Sequence, residues 1–226
     1  MGNNITGVVR NRIPPRQELM ASTKTSGFSL LELMIAISIS LILVAVSTIT
    51  MMPVFQQQHV NDAYNTTLTA LRRAHDQAAA DMRVYMVTFS PAVVGTNGGT
   101  ITVNETSNAG TILFTATLPM DVTYHVEPGV PTSPTVPPTT PDGFGTAAST
   151  FDFDQPPSGV GGSNVIYFYP DGTAEDVNGN INNGVIYMGM PGRLLTSRAI
   201  TLWGYTGRIR GWQIVQTAGV YSWRQQ

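Results

Sequence analysis

Few side chains in this sequence are of a type, or at a spacing, that supports chemistry. Its three histidines, His59, His75 and His125, lie far apart and form no HExxH or other metal-ligand spacing. Structural roles suit them better than catalysis, with His59 and His75 expected on a helix and His125 in a strand. Asp152 and Asp154 make a spaced carboxylate pair, but Phe151, Phe153 and Pro156 around them predict a loop anchored by its aromatics. No G-x-S-x-G elbow, Walker loop or dinucleotide fingerprint is present. The sequence predicts no enzyme, no catalytic residue, no metal site and no cofactor.

Two clusters remain. "DGTAEDVNGN" (171–180) gathers Asp171, Glu175, Asp176, Asn178 and Asn180, and oxygen-rich loops of this kind hold Ca²⁺ elsewhere. Here the glycine is not at the sixth position and no bidentate glutamate closes the loop, whereas Gly, Asn and Asp are what a hairpin turn requires. The second cluster is basic. Arg208, Arg210 and Trp212 alternate onto one face of a strand. Together with Arg193, Arg198 and Arg224 they offer a phosphate-and-stacking surface suited to DNA. The opposing reading is that these arginines neutralise acids elsewhere in the chain or protect strand edges.

The acids are there to be neutralised. Residues 84–192 carry nine of them and no Lys or Arg, while residues 193–226 carry five arginines and no acid. Residues 1–27 are basic, with Arg10, Arg12, Arg16 and Lys24 against Glu18. From residue 28 onward eight arginines face thirteen acids, a net charge of −5, which weakens long-range attraction of DNA.

One carboxylate stands apart from all of these. Glu32 lies near the start of "SGFSLLELMIAISISLILVAVS" (26–47), and after it no charged residue follows until Asp62. That uncharged run exceeds the roughly 20 residues a helix needs to span a bilayer, and it lacks the short length and small-residue end of a cleaved secretory signal. Basic residues precede it, so the positive-inside rule places the N-terminus in the cytoplasm. A carboxylate at the centre of a membrane helix costs about 2.5–3.5 kcal/mol by insertion scales and marks a function or a partner. At the interface, on a helix N-terminus, the macrodipole favours it instead by about 0.3–1 kcal/mol.

These residues must be positioned by a small set of elements. Val60, Tyr64, Leu68, Leu71, Ala74, Ala78 and Met82 recur at spacings of three and four, which predicts an amphipathic helix continuing the apolar one. Pro53 is expected to bend it. Beyond Arg83 short β-branched and aromatic runs predict strands at 84–90, 111–118, 122–126, 164–170, 184–189, 198–204 and 208–215. The stretches 127–143 and 154–163 are rich in Pro, Gly and Thr and predict loop. The fold class expected is α+β: one long N-terminal helix, transmembrane then amphipathic, packed on a C-terminal antiparallel β-sheet or sandwich head. Only 12% of residues are charged and there is no cysteine, a composition that suits an exported β-rich domain without disulfides or thiolate metal sites.

"GFSLLE" (27–32) resembles the processing site of type IV prepilins and pseudopilins. The resemblance implies cleavage by a prepilin peptidase after Gly27, N-methylation of Phe28, and a role for Glu32 in meeting the N-terminal amine of a neighbouring subunit. "LRRAHDQAAADMRVYMVTFS" (71–90), "IYFYPDGTA" (166–174) and "RAITLWGYTGRIRGW" (198–212) are similar to segments of the GspH/FimT-type minor pilins. The likeness covers residues 27–90 and 164–215 and leaves the proline-rich middle unmatched. It implies a leader at 1–27, a transmembrane and assembly helix at 28–55, an amphipathic helix at 56–83, and a β-rich head at 84–226 with a Pro-rich loop at 127–163.

In function it implies a minor pilin or pseudopilin of a type II secretion pseudopilus or a type IV pilus. The precursor would sit in the inner membrane as a single-pass protein with a periplasmic head, then enter the filament. Its partners would be the peptidase, other pilin subunits, the inner-membrane assembly platform, and DNA or an exported protein. FimT-type minor pilins act as DNA receptors through arginines at this end of the domain, so Arg193, Arg198, Arg208, Arg210, Trp212 and Arg224 are the residues concerned. Two features depart from the pattern. Pro53 falls four residues later than the usual pilin bend, and the 27-residue leader is long, so Met20 is expected to be the translation start.

Overall fold

The computed structural model describes residues 27–92, 98–106, 111–132, 142–145, 147, 149–153 and 164–226. Residues 1–26 of the expected leader, and the parts of the Pro-rich stretch at 133–141 and 154–163, lie outside them. By its internal contacts the chain divides into two units, residues 1–49 and 50–226.

In the first unit the described residues are the start of helix α1 (Leu30–Asp81), and every one of them is exposed. None of the described residues covers Leu33, Ile37, Leu41 or Val44. The span still satisfies its own polar groups. Ser38, Ser40, Ser47 and Thr48 donate their hydroxyls to the carbonyls of Met34, Ala36, Leu43 and Val44, each at 2.8 Å. In hydrocarbon, where water cannot serve these hydroxyls, that back-bonding is what makes them tolerable.

In the second unit α1 continues through Pro53, which lies inside the helix without interrupting it. From Val60 onward one face is buried: Val60, Ala63, Tyr64, Thr67, Ala70, Leu71, Ala74 and Ala78. Six of the seven residues expected on that face lie in the core or against it; the seventh, Met82, is 73% exposed with φ +55, beyond the helix end. Asp62, Arg72, Arg73 and Asp76 stay exposed on the opposite faces.

Ten strands follow among the described residues: β1 (Tyr85–Ser90), β2 (Thr100–Glu105), β3 (Ile112–Thr117), β4 (Phe151–Phe153), β5 (Val165–Phe168), β6 (Ala174–Glu175), β7 (Gly184–Met188), β8 (Arg198–Trp203), β9 (Arg208–Thr217) and β10 (Val220–Gln225). They form two antiparallel sheets of order β3-β2-β1-β5-β6 and β10-β9-β8-β7-β4. The layout is α+β and pilin-like. Both sheets turn alternate side chains onto the helix: Val87 and Phe89, Ile101 and Val103, Ile166 and Phe168 from one, Phe151 and Phe153, Ile186 and Met188, Ile200 and Leu202 from the other. The helix comes so close that a Cβ at Gly211 of β9 would collide with the Tyr64 hydroxyl.

The second sheet is buried on its other face too. A second cluster there joins Val130, Val185, Tyr187, Ala199 and Ile214 with Phe144, Trp212 and Trp223. The cover is supplied by described residues on either side of 133–141, Val126, Val130, Phe144 and Ala147. Phe144 stacks on Trp223 at 5.3 Å and meets Trp212 edge-on at 5.2 Å. Trp223 donates its indole N–H to Pro131 O at 2.9 Å, and the Tyr187 hydroxyl donates to Phe144 O.

Five expectations change. The 127–163 stretch is not all loop, because Phe151–Phe153 pairs with Gly184–Ile186 as an edge strand. Asp152 therefore sits in a strand, between two buried phenylalanines. Residues 122–126 do not form a strand: β4 takes β7's free edge, leaving one bridge between Thr123 and Gly189. His125 thus lies outside any strand, and Val122 and Tyr124 are core residues of an irregular segment. The strands β2, β4, β6 and β10 were not expected from the sequence. For β10 the reason is its turn, Ala218-Gly219, where both residues take positive φ (+50 and +83) without the Asn-Gly signal such turns usually carry.

Candidate functional site

Gly27, Phe28 and Glu32 sit at the very start of α1. The first intrahelical bond runs from Leu33 N to Ser29 O at 3.1 Å, so Gly27 and Phe28 precede the helix. No other atom approaches the Gly27 Cα side within 4 Å, and Phe28 is 81% exposed. A peptide bond here is sterically open. Glu32 lies in the first helical turn, where the four unbonded amides and the macrodipole favour an anion.

The arginines of the C-terminal part split between the two faces of the second sheet. Arg198 pairs with Gln213 in register, and Gln213 pairs with Arg224, so both arginines belong to the helix side. Arg198 is buried at 4% exposure, bonded to Asn61 Oδ1 (3.0 Å), Gln57 Oε1 (3.4 Å) and the carbonyls of Thr196 and Ser197. Burial presses its guanidinium below its ordinary value, with the nearby Tyr64 opposing. No carboxylate among the described residues pairs with it, so it is a caged cation held by amides and carbonyls. Arg193, exposed at the entry to a short 3₁₀ turn (Leu194–Thr196), donates to Gln56 Oε1.

Arg208, Arg210 and Trp212 do share the outer face, as their alternation predicts. They meet the cover. Asp142 accepts from Arg208 Nη2 at 3.0 Å and Arg210 Nη1 at 2.7 Å, and all three side chains are partly exposed. Trp212 donates to Thr201 Oγ1 at 2.9 Å under Phe144. The six residues expected to form one basic patch therefore do not converge, because odd and even positions of paired strands point to opposite faces. The partner missed from sequence is Asp142; its signal was being the one acid between Glu127 and Asp152, opposite a chain end with no acid of its own.

The histidines and the acidic loop are internally engaged. His59 Nδ1 meets Asp121 at 2.9 Å, His75 Nδ1 meets Asp76 at 3.2 Å, and His125 Nε2 meets Glu127 at 3.2 Å. In the 171–180 segment Asp176 accepts from the backbone amides of Asn178 (2.8 Å) and Asn180 (2.9 Å), and Asp171 accepts from Thr173 N at 3.0 Å. Burial pushes the Asp176 carboxyl up, but the backbone and side-chain amides of Asn180 and Asn178 outweigh it and hold it below the usual range. These carboxylates shape a hairpin turn. Among the described residues no group of three or more His, Asp or Glu is placed to hold a metal ion.

The most distinctive geometry is thus the open Gly27–Phe28 junction ahead of an uncovered apolar helix. A family model, the prokaryotic N-terminal methylation motif, matches residues 22–48, which takes in that junction and Glu32. No curated protein and no solved structure gives a match. The motif indicates a type IV pilin-type protein, processed by prepilin peptidase and assembled with other pilins, and with the apolar helix it is consistent with membrane anchoring and entry into a filament.

Proposed function

We propose that this chain is a minor pilin or pseudopilin of the GspH/FimT type. Prepilin peptidase cleaves the Gly27–Phe28 bond and methylates the new Phe28 amine. The precursor sits in the inner membrane with its N-terminus in the cytoplasm and its head in the periplasm, until the assembly platform draws it into a filament. Residues 28–55 then pack against neighbouring helices, and Glu32 meets the amine of an adjacent subunit. One observation carries the reading: the methylation motif lies in register with a helix whose first twenty residues are exposed on every side. In a filament those side chains exchange lipid for neighbouring helices.

The role follows from what the head presents. In a type II secretion pseudopilus it would contact tip partners or exported protein. The test of the class is the intact mass and N-terminal residue of protein recovered from membranes, with and without the peptidase. A chain beginning at methylated Phe28 only when the peptidase is present supports the proposal, and an uncut N-terminus in both sinks it.

A second reading, a pilus-borne DNA receptor, rests on Arg208, Arg210 and Trp212 sharing one partly exposed face. Asp142 already neutralises part of that charge. Replacing Arg208 and Arg210 together should abolish DNA retention by intact filaments if this reading holds. Retention unchanged from wild type would discard it.

A further inference from the structure

The head carries a rim around the point where α1 turns from apolar to polar. Met51, Met52, Val54 and Phe55 are exposed, Gln56, Gln57, Gln58 and His59 follow, and burial against the sheets begins at Val60. Two loops reach the helix at this level. One brings Arg193 to Gln56, and the other brings Asp121 to His59 at 2.9 Å. Each exposes a large apolar side chain beside its contact: Leu195 at 48% and Met120 at 78%. The acids here are compensated, Asp121 by His59 and Glu127 by His125 and the Gly192 amide. Arg193 is exposed, and only one of a guanidinium's five N–H donors is needed for Gln56.

We propose that this rim is a phospholipid-binding surface that seats the head on the bilayer before the subunit is extracted into a filament. Met120 and Leu195 enter the headgroup–acyl boundary, and Arg193 donates to lipid phosphate. The argument is continuity. A helix leaving hydrocarbon near Phe55 places side chains at the level of residues 56–59 in the headgroup layer, where amphipathic and basic groups are most favourable. Apolar side chains left bare at that depth gain by insertion, whereas in a head surrounded by water they would not. The proposal rests on the membrane-anchored reading above.

The chain has no cysteine, so single probes can be placed without background. Met120→Cys, Leu195→Cys and, as a distant control, Val177→Cys each carry an environment-sensitive fluorophore on the full chain, in vesicles of phosphatidylethanolamine and phosphatidylglycerol. Val177 follows β6, whose turn at Gly172 meets His75, sixteen residues further along α1 and about 24 Å at 1.5 Å per residue.

Flotation of the vesicles first reports anchoring. If the chain does not float, anchoring fails and the rim with it. If it floats, probes at 120 and 195 should be blue-shifted and quenched by headgroup-depth spin-labelled lipid about two-fold or more beyond the probe at 177. Equal, water-like emission at all three sites overturns the proposal while leaving anchoring intact. A response at 120 and 195 that appears only when other pilin subunits are added overturns it in favour of a protein interface. Arg193→Glu should weaken quenching at 195, and unchanged quenching would overturn the phosphate contact.

Discussion

Helix α1 is two helices in one chain, and the comparison between its halves explains most of the molecule. Residues 30–49 are apolar on every face and exposed on every face. Residues 60–81 are apolar on one face, and that face is buried from Val60 as far as Ala78. The second half is stabilised within its own chain by two sheets. Among the described residues the first half has no such partner, and on the filament reading proposed above its surface serves lipid and then other copies of the same kind of helix. Periodicity separates the two cases: a stripe marks a helix completed by its own fold, and a uniform surface marks one completed from outside.

Paired truncations are the strongest way to break this comparison. Leu71→Ala, at a site with 0% exposure, should destabilise the head by about 2–5 kcal/mol in denaturant unfolding of the full chain in micelles. Leu41→Ala, at 64% exposure, should leave that transition within about 0.5 kcal/mol. Equal losses would mean the first half is packed on the head after all. The close approach of α1 to β9 gives the next effect. Gly211→Ala should cost about 1–3 kcal/mol by driving a methyl into the Tyr64 hydroxyl, and Tyr64→Phe should restore part of it in the double variant. Additive losses would place the strain elsewhere.

Asn61→Ala removes the nearest side-chain acceptor of the caged Arg198 and should cost about 1–3 kcal/mol, read as a lowered melting temperature. Tyr85→Phe is milder, about 1 kcal/mol, with a distinctive pH signature. The Tyr85 hydroxyl donates to Asp81 at 2.6 Å, which pushes the Tyr85 phenol up to about 12 and, with Gln77, holds the Asp81 carboxyl down. The raised phenol contributes stability that is complete below its ordinary value of 10.0 and lost as pH climbs through about 12. The lowered carboxyl contributes stability present above its ordinary 3.8 and lost as pH falls through the folded value. The phenylalanine variant should therefore lose less stability than wild type at both extremes. Ser40→Ala should be the smallest effect, within about 0.5 kcal/mol, because its hydroxyl serves only a carbonyl of its own helix.

What the sequence made legible follows the same division. The spacing from Val60 to Ala78 predicts the buried face, and the run after Glu32 predicts the uncovered one. The strands with dense β-branched and aromatic residues, β1, β3, β5, β7, β8 and β9, are also legible. Of those that escaped, two owe their place to a neighbour: β4 is three residues whose pairing depends on β7, and β6 is two residues held by β5. The arginine face was half legible. Alternation brought Arg208, Arg210 and Trp212 together, but strand register, which no local pattern encodes, sent Arg198 and Arg224 to the other side. Asp142 was marked only by charge balance, and its pairing was not legible because its partners are 66 and 68 residues away in the chain.

The cover over the second sheet has a consequence for how the molecule is observed. Of the three tryptophans, Trp212 and Trp223 lie beneath it, and Trp203 stands beside Tyr205 at the β8–β9 turn. None belongs to the core under α1. Tryptophan emission from this protein is therefore a gauge of whether Pro131 and Phe144 are seated, while far-ultraviolet circular dichroism, dominated by a 52-residue helix, follows α1. Recorded on one sample, the two signals separate the peeling of a surface layer from the loss of the fold beneath it.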